Sequence, residues 1–84
     1  MAKSCDKRDR SKLRTAFGSQ VRQLRKTRGL TQFDLAESCD LDRTYIGGIE
    51  RGQHNPTLEN IAKIASCLSV SVSELVRGID GERT

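Results

Sequence analysis

Every apolar stripe in this sequence is short and closed by residues that start or stop a helix. That punctuation limits the chain to a bundle of brief helices. Leu13, Phe17, Val21 and Leu24 follow one another at steps of four, four and three. They therefore share one face of a helix over about residues 11–28. Asp9 or Ser11 can cap its start, and Gly29 can end it in a left-handed conformation with Leu30 packed back over the last turn. Thr31 then precedes a short helix over about 32–38 that buries Leu35 and Ala36. Thr31 and Asp34 have the spacing of a capping box, with Asp in place of the usual Glu or Gln. Asp40 and Leu41 make a turn, and Asp42 caps a third helix, about 43–50, that buries Ile46 and Ile49. Gly52 stops it, and Pro56 keeps Asn55 out of helical geometry. Thr57 caps a fourth helix, about 58–68, with Leu58, Ile61, Ala62, Ala65 and Leu68 inside. Ser71 and Glu74 form a full S-x-x-E box ahead of a fifth helix, about 72–77, which carries Val72, Leu75 and Val76 and is stopped by Gly78.

No segment alternates with the period of a strand, so the expected fold is all-α with five helices. The second and third, joined by a tight turn, have the helix-turn-helix arrangement. With 84 residues there is room for one modest core and for no separate catalytic domain. The domain is expected over 11–78, between a flexible basic arm at 1–10 and a frayed tail at 79–84. Phe17, Phe33 and Tyr45 are the three aromatics, so the core must be built from Leu, Ile, Val and Ala.

Charge is uneven. Ten of the 15 Lys and Arg residues, but two of the 11 acidic ones, fall within the first 28 positions of a chain whose net charge is +4. A basic half suits a polyanion, nucleic acid first; equally, it can be a solvated arm. Cys5, Cys39 and Cys67 are widely spaced and accompanied by one histidine, which does not make a zinc site. Cys39 and Cys67 read as small buried hydrophobes and Cys5 as a free thiol. No apolar run approaches a membrane span and no signal peptide is visible, so a cytoplasmic, reduced protein is expected. Nucleophile–base sets, glycine-rich phosphate loops and metal clusters are absent from the sequence, which argues against an enzyme and against any cofactor.

Gly29-Leu30-Thr31-Gln32, Leu35-Ala36, Tyr45-Ile46 and Ile49-Glu50-Arg51-Gly52, followed by Asn55-Pro56-Thr57-Leu58, Ala65, Leu68 and Val70, resemble in order and spacing the phage repressor and Cro-like (XRE-type) helix-turn-helix family. The resemblance spans about residues 13–77. Leu41-Asp42-Arg43-Thr44-Tyr45-Ile46 with Gly48-Ile49-Glu50-Arg51 also resembles the recognition helix of restriction–modification controller proteins. It implies a transcriptional regulator, repressor or activator, whose third helix lies in the DNA major groove. It further implies a homodimer on a pseudo-palindromic double-stranded operator, with half-sites roughly 34 Å apart. No small-molecule ligand domain and no membrane partner are expected.

The resemblance places Arg43, Thr44 and Tyr45 at base edges or the adjacent backbone. Arg43 could take guanine bidentately, Thr44 a base or thymine methyl, and Tyr45 a phosphate or base. Gly47 and Gly48 cost helix stability; either they let the helix approach the bases closely, or they are tolerated on an exposed face. Gln32, Thr31, Arg51, Gln53, His54 and Asn55 are expected at the DNA backbone. A local cap is the alternative for Gln32, and a solvated loop residue for His54. Arg25 and Glu50 are implied as a structural salt bridge. Lys3, Lys7, Arg8, Arg10, Lys12 and Arg14 could follow a groove or simply be solvated. Val72, Val76 and Ile79 offer a dimer seam or ordinary core filling. Against the regulator stands a protein–protein adaptor or antitoxin-type module on the same fold, with the third helix facing protein.

Overall fold

A computed structural model describes residues 7–81, with side chains from Asp9 onward. Its elements are α1 (Lys7–Thr27), α2 (Gln32–Cys39), α3 (Arg43–Glu50), α4 (Leu58–Cys67) and α5 (Val72–Leu75). No strand occurs among the described residues. Helix α1 begins at Lys7 rather than near residue 11, so the end of the expected arm is the first turn of the helix. Residues 1–6, including Lys3 and Cys5, and residues 82–84 of the expected tail lie outside the described residues. Helices α4 and α5 end one and two residues before the expected limits.

The punctuation is largely as the sequence predicts. Thr31 and Asp34 form both halves of the capping box, at 3.0 Å each. The exposed Asp34 carboxyl is held below its ordinary 3.8 by the Thr31 backbone N–H and then by the Thr31 side chain. Thr57 accepts from the Asn60 N–H. Two caps differ from expectation. Asp42 has the extended N-cap backbone but its exposed side chain makes no cap bond. At Ser71 only half of the box forms: its hydroxyl accepts from the Glu74 N–H and also meets the Ser73 hydroxyl.

Helices α1 to α4 all end alike. A residue with positive φ follows the helix, and the next N–H returns to the carbonyl five residues back. These bonds are Leu30 to Arg25, Leu41 to Ala36, Gln53 to Gly48 and Val70 to Ala65. Glycine fills the left-handed position at Gly29 and Gly52, but Asp40 and Ser69 fill it at φ 58° and 61°. Asp tolerates that conformation; Ser is less suited, and its position was not foreseen.

The core gathers Phe17, Val21, Leu35, Ala36, Cys39, Ile46, Ile49, Ile64, Ala65, Leu68 and Leu75. The α4 stripe is Ile61, Ile64, Ala65 and Leu68, not the expected set. Leu58 and Ala62 face outward, and Leu58 is 74% exposed. Leu13 likewise sits at the rim, 37% exposed. Cys39 is buried and Cys67 half-buried; burial, followed by a hydrogen bond with Cys67, pushes the Cys39 thiol up to about 12, so it stays neutral.

Candidate nucleic-acid interface

What positions α3 is its inner face. Ile46 and Ile49 are sunk in the core, and α1 crosses so closely that a Cβ on Gly18 would collide with the Ile49 and Glu50 carbonyl oxygens. Beside this crossing the Arg25 guanidinium grips Glu50 with two bonds, Nε to Oε2 at 2.7 Å and Nη2 to Oε1 at 3.0 Å. Arg25 Nη1 donates to the Leu30 carbonyl at 2.7 Å, so the α1–α2 connection is drawn into the same brace. The two side chains are 9% and 3% exposed. Fork geometry and near-complete burial make this the structural pair the sequence suggested. Gln32 joins it: its Nε2 donates to Glu50 Oε1 at 3.0 Å. Sequence reasoning missed that link, because nothing local pairs positions 18 residues apart.

With its back held, α3 turns its start to solvent. Arg43 and Thr44 are exposed on its first turn. Arg43, Thr44, Gly47, Arg51 and Gln32 line one open polar hollow. Two guanidinium groups there give the surface a positive field, and the missing side chain at Gly47 deepens it. Gly47 itself is covered by Arg51 and Gln32, whose nearest atoms lie 3.2 and 3.4 Å from where a Cβ would stand.

Gly48 is different. A Cβ there would strike the His54 imidazole, so this glycine makes room for a loop side chain. The His54 ring continues onto Tyr45, with centroids 5.1 Å apart and planes inclined by 40°. The half-buried Tyr45 hydroxyl accepts from Asn60 Nδ2 at 3.1 Å. Asn60 was not among the expected site residues; the polar side chain three positions after the Thr57 cap was the available signal.

The remaining expected residues are partly gathered at this surface. Thr31 is exposed, its hydroxyl accepting the cap bond. Arg51, Gln53, His54 and Asn55 are all exposed in the segment after α3, with Arg51 Nη2 donating to Gln53 Oε1 at 3.2 Å. Of the expected basic arm, Arg10 and Lys12 are exposed, and the half-buried Arg14 donates through Nε to the Gly52 carbonyl at 3.4 Å. Val72, Val76 and Ile79 pack on the core yet stay half exposed. Val76 and Ile79 border an apolar hollow with Leu13, Phe17, Pro56 and Ile61. No group of three or more potential metal ligands occurs among the described residues, and none of their helices is long and apolar enough to cross a membrane.

A helix-turn-helix family model matches residues 21–75, which takes in all of α2 to α5 and the end of α1 that carries Arg25. The chain is 46% identical over 65 residues to control protein C.BamHI of Bacillus amyloliquefaciens, covering 76% of this chain and 80% of that one. Among solved structures it is similar to the restriction–modification controller protein C.AhdI from Aeromonas hydrophila, with a TM-score of 0.73, 47% identity, and coverage of 74% and 94%. It is also similar to the controller protein C.Esp1396I, solved as a tetramer in complex with its natural 35 base-pair operator, with a TM-score of 0.73, 34% identity, and coverage of 83% and 96%. The braced α3, its exposed first turn and these likenesses agree: the chain belongs to the XRE-type helix-turn-helix family of DNA-binding transcriptional regulators, alongside the restriction–modification controller proteins.

Proposed function

We propose that this chain is a sequence-specific regulator of transcription that binds a pseudo-palindromic operator as a homodimer, with α3 in the major groove. The observation that carries it is the pairing of an exposed Arg43 and Thr44 on the first turn of α3 with a locked inner face. A reading helix must present its N-terminal side chains at a fixed angle to the base edges, and the Arg25–Glu50 brace supplies that angle. Arg43 takes a guanine edge bidentately, while Thr44 and Gly47 lie close to the neighbouring bases. Gln32, Thr31, Arg51, Gln53 and Asn55 set the register on the phosphates. The operator complex of the related controller protein supports DNA as the partner. Val76 and Ile79, with Leu13 beside them, are half-exposed apolar residues whose burial against a second copy would form the dimer seam.

The test is selection of operators from random duplex DNA, followed by titration of wild type and Arg43→Ala at several salt concentrations. A pseudo-palindrome should emerge, affinity should fall steeply with salt, and Arg43→Ala should relax preference at one position in each half-site. If no sequence is preferred over bulk DNA by roughly tenfold, far below the range of specific binders, the regulator is excluded and a protein partner becomes the target.

A further inference from the structure

We propose that Asn60 is a positioning residue for DNA reading, which commits the Tyr45 hydroxyl to act as a hydrogen-bond donor toward the DNA. The proposal rests on the function above. A phenol oxygen can both donate and accept. Here Asn60 Nδ2 donates to that oxygen at 3.1 Å, which leaves the hydroxyl proton free to be offered. The partner on the DNA is then an acceptor: a phosphate oxygen, or the N7, O6 or O4 atoms of the base edges.

The arrangement is built from three elements. The Thr57 hydroxyl accepts from the Asn60 backbone N–H at 3.1 Å, which anchors Asn60 in the first turn of α4. Its amide reaches across to Tyr45 in the first turn of α3. From the intervening loop, the His54 ring lies against Tyr45 in the room that Gly48 leaves. Tyr45 is thus held by Asn60 at its hydroxyl and by His54 at its ring. Both Tyr45 and Asn60 are only half-buried. At such a corner water would satisfy either group were the bond broken, so the bond adds little to stability. What it sets is the direction of the remaining proton.

The experiment is a double-mutant cycle on the selected operator and on random-sequence duplex, using Tyr45→Phe, Asn60→Ala and the pair, with thermal unfolding of each. The Thr57 cap uses the backbone of Asn60, so Asn60→Ala keeps it. Each single variant should lose about three- to tenfold in operator affinity, the range of one hydrogen bond, and the pair should lose no more than Tyr45→Phe alone. A loss confined to the operator makes the acceptor a base; an equal loss on random duplex makes it a phosphate. Unchanged operator affinity in Asn60→Ala, or losses that add in the pair, overturns the proposal. A wild type with no sequence preference defeats the regulator itself, and is recognised by that separate measurement.

Discussion

Helix α3 is held on two sides by opposite means. Behind it, α1 meets backbone with backbone at Gly18 and closes the contact with a buried guanidinium–carboxylate fork. In front, at the corner with the loop and α4, side chains meet side chains: Gly48 yields space to His54, which lies on Tyr45, which is bonded to Asn60. The rear contact has no slack, because carbonyl oxygens cannot move without unwinding α3. The front contact can rearrange by rotating a ring. Backbone contact therefore holds the rear of α3, and side-chain contact holds its front.

Substitutions can break or sharpen this contrast. The largest effect is expected for Glu50→Ala, which strands the buried Arg25 and releases Gln32. Chemical denaturation should show a loss of about 3–5 kcal/mol. A loss below about 1 kcal/mol would mean the rear brace is no stiffer than a surface pair. Next comes Gly18→Ala. Better helix propensity would gain about 1 kcal/mol in an open helix, but the clash with Ile49 and Glu50 should turn this into a net loss of about 2–3 kcal/mol.

Gly48→Ala is the matching change in front. Displacing the imidazole offsets part of the propensity gain, so stability should move by less than about 1 kcal/mol in either direction, while operator affinity drops. Equal destabilisation by Gly18→Ala and Gly48→Ala would erase the distinction between the two sides. The smallest effect belongs to Asp34, in the capping box of α2 and outside both regions. Its lowered value means that its ionised form favours the folded state; that contribution is complete above the ordinary 3.8 and disappears as pH falls through the lower folded value. Acid titration of Asp34→Asn should accordingly show a shallower loss of stability below that point than wild type.

Much of this was legible beforehand. Thr31, Thr57, Gly29 and Gly52 mark helix ends through bonds made within a few residues, so local sequence suffices to place them. Arg43 and Thr44 were legible too, since an exposed first turn follows from where the apolar residues Ile46 and Ile49 must point. Leu58 misled because period alone does not show which positions on a face the rest of the chain covers. The contact of Gly48 with His54 was not legible, because a helical glycine has the same appearance whether or not a distant side chain fills the space beside it.

Five brief helices, their stops and the outward start of α3 are consequences of spacing and capping, interactions that reach three or four positions along the chain. The tertiary structure decided what depends on distant partners. Gln32 is tied to Glu50, 18 positions on, and Tyr45 to Asn60, 15 positions on. Arg28 closes the end of α4 by donating to the Leu68 carbonyl at 2.6 Å, beside the left-handed Ser69. These bonds form because packing of the apolar faces brings remote polar groups together; only at Glu50, almost fully buried, would an unpaired group be costly.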